Sequence, residues 1–192
     1  GASASSARTG VETVSSGDRP TKAGGEIPRP MTKDEIMTTV GKYGEAARRI
    51  VQIGFDAVEL HMGHSYLMSQ FISPYYNNRT DEFGGSVENR MRFPRMVCEA
   101  VRKAVGPWFP IIVRISADEF VPGGNKLEDT LEYLQYIDEF VDIYDVSAAL
   151  NPSLHYQIDA NYFADGWRSY MSRAVKERYN KPVMNMGNYR DP

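Results

Sequence analysis

A short apolar run, Phe55 to Leu60, breaks off at His61, His64 and Tyr66, and a long loop dense in Asn, Arg, Asp and Gly follows before helical periodicity resumes near Phe93. A buried strand that ends in chemically capable side chains and hands over to a long loop is how parallel sheets deliver function to their C-terminal edge. The pattern recurs downstream. Pro110–Ser116 (PIIVRIS), Ile143–Ser147 and Pro182–Gly187 (PVMNMG) read as further strands. Phe93–Val105, Leu127–Phe140 and Trp167–Tyr179 read as the helices between them, with Pro94 tolerable in a first turn. Ahead of the first strand, Thr32-Lys33-Asp34-Glu35 has the form of a capping box. Ile36, Val40, Tyr43, Ala47 and Ile50 then build one apolar helical face, which Gly54 stops. Residues 1–31, rich in Gly, Ser, Ala, Thr and Pro, read as a loop or partly disordered lead-in.

Strands alternating with helices imply a parallel α/β sheet with right-handed crossovers, because each crossover has to pack back on the sheet. The pattern by itself leaves an open doubly wound sheet and an eightfold barrel equally available. Polar residues stand at the C-terminal end of every strand: His61, Arg114, Ser147, and Asn188 just beyond Gly187. Both architectures place their chemistry there.

Composition narrows the partners. A net charge of −3 with both signs interspersed provides no basic stripe for nucleic acid. The single cysteine, Cys98, excludes an intrachain disulfide and lies in an apolar-periodic stretch, as a core residue would. No apolar run reaches bilayer length and no secretory pattern opens the chain, so a cytoplasmic location is expected. The chain starts without Met and stops at Asp191-Pro192 right after a strand, which suggests a fragment of a longer protein.

Two readings of His61-x-x-His64 remain open on the residues alone. The histidines are structural and hydrogen-bonded, or they ligate a metal with Glu59, for which no third ligand has typical spacing.

The elements HxxHxYL, FxSP, NxRTDEFGGS and ENRxRF within Gly54–Phe93 together resemble the old yellow enzyme, or NADH:flavin oxidoreductase, family of FMN-dependent enzymes. The resemblance implies a TIM (β/α)8 barrel, with residues 32–192 supplying about strands 4 to 7 while the first three strands and the eighth are absent. It implies that His61 and His64 donate hydrogen bonds to a substrate carbonyl and that Tyr66 donates the proton. Arg114 would face the N1 and O2 edge of FMN, and Gly187 and Asn188, followed by Tyr189, would lie in the phosphate-binding loop. Asn77, Arg79, Asp81, Gly84, Gly85, Asn89 and Arg90 would shape the long loop, and Asp118-Glu119 with Gly123-Gly124 a second one. The implied reaction passes hydride from NADH or NADPH through the flavin to an electrophilic alkene such as an enone or enoyl thioester. An oxidative amine demethylase and a catalytically inactive scaffold are the alternatives. The wording at Pro74–Asn77 and in the terminal GNYRDP leans towards the larger trimethylamine dehydrogenase and 2,4-dienoyl-CoA reductase-like members. In these an iron–sulfur cluster would be held by a region beyond residue 192. A small-molecule substrate is expected, with self-association or a complementing barrel half covering the open sheet edges.

Overall fold

The computed structural model describes residues 2–189, so Arg190-Asp191-Pro192 of the terminal GNYRDP wording lie outside the described residues. Its centre is a four-stranded, wholly parallel sheet in sequential order: β3 (Val58–Met62), β4 (Ile111–Ser116), β5 (Ile143–Ser147) and β6 (Val183–Asn185). The register sets His61 beside Arg114, Arg114 beside Asp145, and Ser116 beside Ser147. Because side chains alternate along a strand, these polar residues and Glu59 share one face. Val58, Leu60, Met62, Ile111, Val113, Ile115, Tyr144 and Val146 share the other.

That second face is the core. The helices α2 (Lys33–Gln52) and α4 (Val87–Val105) pack together over it, and Phe93, Val97, Cys98 and Val101 of α4 are fully buried. Each large apolar side chain so buried contributes about 1.5–3 kcal/mol. Cys98 is thus a packing residue, its thiol pushed up to about 12 by burial.

The start of α2 follows from its first four residues. Thr32 Oγ1 accepts from the Glu35 amide at 3.2 Å and Glu35 Oε2 accepts from the Thr32 amide at 2.7 Å, which satisfies two donors that a helix start leaves open. Replacing Thr32 with alanine is expected to lower stability by about 1 kcal/mol, read as a lower urea midpoint at unchanged slope. An unchanged midpoint would mean the cap contributes nothing.

Several expected boundaries are corrected. The strand begins at Val58, because Gly54 turns the chain at φ 85° and leaves Phe55 60% exposed. The helix expected from Phe93 begins six residues earlier. Ser86 caps it by accepting from the Asn89 amide at 3.2 Å, so Pro94 lies in the helix interior instead of the first turn. A proline there removes a backbone bond, and burial of its ring in the core offsets the loss. The helix expected over Leu127–Phe140 is regular only as α5 (Leu127–Tyr133) and continues as two 3₁₀ turns. There Asp138 pairs with Lys181 at 2.8 Å and accepts from the Tyr144 hydroxyl at 2.8 Å, which draws the segment tightly onto the sheet. The last helix, α6 (Ser169–Tyr179), starts two residues later than expected, and a short helix, α3 (Leu67–Ile72), follows β3 directly.

The lead-in is largely loop, with a four-residue helix α1 (Ser6–Thr9) and a two-residue parallel pairing of β1 (Val14–Ser15) with β2 (Arg29–Pro30). It is tied down where Ser15 Oγ donates to Gln70 Oε1 and Ser16 Oγ to the Gln70 carbonyl, at 2.7 and 2.5 Å. Among the described residues no helix is long and apolar enough to cross a membrane.

Candidate active site

The C-terminal end of β3 builds the centre of the site. After Met62 the chain makes a sharp bend in which His64 and Ser65 both adopt left-handed backbone, φ 56° and 63°. Such a conformation costs a non-glycine residue about 1–3 kcal/mol and persists only where neighbours enforce it. The enforcement comes from β4. The His64 amide donates to Ser116 Oγ at 3.0 Å, and Ser116 Oγ donates onward to the Ala149 carbonyl at 2.7 Å. On the far side Ser65 Oγ shares a hydrogen bond with the Tyr76 hydroxyl at 2.7 Å and accepts from the Asn151 amide at 2.9 Å. The approach is so close that a Cβ on Gly63 would lie 2.8 Å from Ser116 Oγ.

The two histidines meet edge to face, with His64 Nδ1 3.1 Å from His61 Nε2 and the ring centroids 4.9 Å apart. His64 is 4% exposed, and its other nitrogen, Nε2, lies 2.8 Å from Ser147 Oγ. Burial pushes His64 down to about 3, helped by His61, Arg114 and Arg168. Burial and then Arg114 push His61 down to about 4, against a small opposing effect of the Arg114 carbonyl. Both rings are therefore neutral at pH 7, with one N–H each. Tyr66 stands at the start of α3, 50% exposed, its ring 5.0 Å from that of His61.

Arg114 lies beside His61 on the same sheet face. Its Nε is 3.4 Å from Asp145 Oδ2, an ion-pair distance without hydrogen-bond geometry, and Nη2 contacts Met186 Sδ at 2.7 Å. Arg114 Nε and Asp145 Oδ1 are both buried without hydrogen-bond partners among the described residues. Burial raises the Asp145 carboxyl despite Arg114, and burial followed by Asp145 raises that of Glu59. The face thus carries a cation with unfilled hydrogen-bonding capacity at the sheet's C-terminal end. No cluster of three or more metal-ligating side chains occurs among the described residues.

Gly187 and Asn188 follow β6. A Cβ on Gly187 would lie 3.2 Å from Arg168 Nη2 and 3.3 Å from Asp159 Oδ2, the two halves of a buried ion pair. The Asn188 side chain is engaged, donating to the Phe163 carbonyl at 2.8 Å. These two residues follow the C-terminal end of β6, the same sheet end that carries His61.

An apolar cleft of about 390 Å³ lies beside His61 and Tyr66. Tyr43, Ala47 and Ile50 of α2 line it together with both faces of β3, so it is the unpaired edge of that strand, open where a neighbouring strand would pair. Sequence reasoning passed over Ser116, Asp145 and Ser147 as site residues. The polar strand ends were a signal for the serines, and the acid interrupting an apolar strand was one for Asp145, but only the register brings them to the histidines and Arg114.

A model of the family described as NADH:flavin oxidoreductase / NADH oxidase matches residues 3–192. Over 184 residues the chain is 39% identical to an NADH oxidase of Thermoanaerobacter brockii, covering 95% of this chain and 28% of that protein. The solved structure of a 2-naphthoyl-CoA reductase in complex with 2-naphthoyl-CoA superposes with a TM-score of 0.83 at 25% identity, over 96% of this chain and 30% of that one. That of an old yellow enzyme homologue from Zymomonas mobilis superposes with a TM-score of 0.78 at 22% identity, over 98% and 54%. The chain therefore spans about a quarter to a half of the length of these proteins, and its sheet is four strands of an eight-stranded (β/α)8 barrel.

Proposed function

The chain belongs to the NADH:flavin oxidoreductase / NADH oxidase family, and from that premise we propose that it supplies the substrate-gripping half of an FMN-dependent oxidoreductase that reduces an electrophilic alkene such as an enone or enoyl thioester. Residues 32–192 form the barrel segment and residues 1–31 a lead-in that braces its loops. The polar sheet face, with Glu59, His61, Arg114 and Asp145, becomes the barrel interior once further strands pair at β3 and β6. The remaining half comes from the same protein or from a second chain.

The observation that carries this reading is the junction of His61 and Arg114 at adjacent register positions, each with a buried nitrogen that has no hydrogen-bond partner among the described residues. A flavin ring fits this donor set, because the Arg114 guanidinium would hold its N1 and O2 edge and meet the negative charge that reduction places there. When bound, FMN would supply hydride transfer from NADH or NADPH to the β-carbon of the alkene. The protein's part is to hold charge and protons. A histidine N–H at the strand end stabilises the oxygen on which negative charge develops. Tyr66, half exposed with its ring 5.0 Å from that of His61, would give its hydroxyl proton to the α-carbon. The backbone around Gly187 and Asn188 offers amide groups to the phosphate.

The test is the visible spectrum of the chain after incubation with FMN and desalting. Retained flavin with shifted bands, and retention weakened about 10–100-fold by Arg114→Met, are expected. A colourless protein would count against this segment holding the flavin, and equal retention by Arg114→Met would remove Arg114 from the ring site. With the flavin bound, turnover of enones against methylamines separates alkene reduction from amine oxidation.

A further inference from the structure

The Arg114 guanidinium has a held end and an open end. Its side chain is 26% exposed, yet Nε is buried, while Nη1, which has no hydrogen-bond partner among the described residues, is not buried. At the held end stands Asp145, the strand neighbour of Arg114 in the β4–β5 register, with Oδ2 3.4 Å from Nε. Among the described residues no other carboxylate lies within ion-pair distance of Arg114. The dependence runs both ways. Asp145 is buried, its Oδ1 has no hydrogen-bond partner among the described residues, and the nearby charge that favours its ionised form is that of Arg114. A carboxylate buried without donors costs free energy that a neighbouring cation has to offset. Glu59, on the same sheet face, makes no ion pair with Arg114 and feels Asp145 as a like charge. An apolar side chain or an asparagine would fill the same position without that cost, so the negative charge on β5 calls for a role that shape alone does not supply.

We propose that Asp145 is a positioning residue for Arg114: its carboxylate holds the guanidinium from the Nε end, leaves the Nη end open to the edge of a ligand, and offsets part of the positive charge that Arg114 presents there. The offset has a consequence for a flavin, because the reduced ring is the more negative form. A lone cation at its N1 and O2 edge favours reduction, and a carboxylate behind the cation moderates that preference. The effect on flavin rests on the reading given under the proposed function, whereas the pairing of Asp145 with Arg114 does not.

Two measurements keep the pair and the flavin apart. In the full chain without ligand, the nitrogen-15 resonance of Arg114 Nε is expected to move with pH at the midpoint where the carbon-13 resonance of the Asp145 carboxyl titrates. Glu59 and His61, which share this face, are followed by their own resonances. Arg114→Met is expected to raise the proton affinity of Asp145 about tenfold or more. An Nε resonance that ignores the Asp145 titration overturns the proposal without recourse to any variant, and an unchanged Asp145 midpoint in Arg114→Met overturns it equally. Asp145→Asn keeps the shape of the side chain and removes its charge. With FMN bound at pH 8, this variant is expected to raise the affinity for reduced over oxidised flavin about tenfold, which is about 30 mV in the two-electron midpoint potential. An unchanged or lower potential overturns the charge-offsetting role, since a purely structural residue would leave the potential where it was. If the pair titrates as stated while the chain takes up no FMN, the flavin reading fails and the pairing of Asp145 with Arg114 stands.

Discussion

Replacing Glu119 with alanine is expected to cost about 3–5 kcal/mol, the largest loss from any single polar side chain in this fold. Glu119 is fully buried in the loop after β4, and its carboxylate gathers donors from two loops. Ser73 Oγ donates to Oε2 at 2.7 Å, the Asn125 amide to Oε2 at 2.8 Å, and Asn125 Nδ2 to Oε1 at 3.1 Å. Its own carbonyl accepts from Ser153 Oγ of the loop after β5 at 2.6 Å. The loops that frame the strand ends are therefore joined at this residue, and the alanine variant leaves several buried donors without acceptors around a cavity.

The same carboxyl sets a pH dependence. Burial raises it to about 7 against the donors that favour the charged form. The folded chain thus holds this proton more tightly than the unfolded chain does. Its contribution to stability is fully present below pH 4.5 and is lost as pH rises through 7, a change of about 3 kcal/mol. His61 and His64 act oppositely. Their depressed values mean that stability is lost as pH falls from the ordinary histidine range towards 4 and 3. The two trends overlap, so the effect of Glu119 is read as a difference. The drop in unfolding free energy between pH 5 and pH 8 should be about 2.5 kcal/mol larger in the unsubstituted chain than in Glu119→Gln. Parallel profiles for the two proteins would show that Glu119 titrates normally.

Gly84→Ala is the second large effect, expected to destabilise by about 2–4 kcal/mol. A Cβ there would lie 2.3 Å from the Arg79 carbonyl oxygen and 2.5 Å from Arg79 Cβ, so backbone has to move. Arg79 is poorly placed to give way. Its guanidinium forks onto Asp81 at 2.9 and 2.6 Å and reaches the carbonyls of Ser16 and Met31 at 3.2 and 2.8 Å, tying the lead-in to the long loop. Gly41→Ala is the informative contrast. It lies in α2 with open space where the methyl would go, and alanine is expected to stabilise by about 0.5–1 kcal/mol through helix propensity and a less flexible unfolded chain. Thermal melts of the two variants should move in opposite directions, and a melt of Gly84→Ala at the unsubstituted temperature would refute the steric argument.

Much of the fold was readable from local pattern. The capping box and apolar spacing of α2 mark a helix whichever partner it meets, and the runs PIIVRIS and IYDVS mark buried strands by composition. Where the reading slipped, a local rule met a tertiary demand. Pro94 argued for a helix start, yet packing in the core holds it in mid-helix and the true cap, Ser86, lies eight residues upstream. Leu127–Phe140 has the spacing of one helix, yet the contacts of Asp138 with Lys181 and Tyr144 tighten its second half.

The sequence by itself determined the alternation of strands and helices, the polar strand ends and the identity of His61, His64, Tyr66 and Arg114 as candidates, since each depends on residues within a few positions of one another. Only the tertiary structure decided that His61 faces Arg114, that His64 rests on a serine 83 residues away, and that Glu119 joins three loops. Strand register and loop closure are properties of contacts between distant segments, and the hydrogen bonds that distinguish one nitrogen of a histidine from the other exist only once those segments have met.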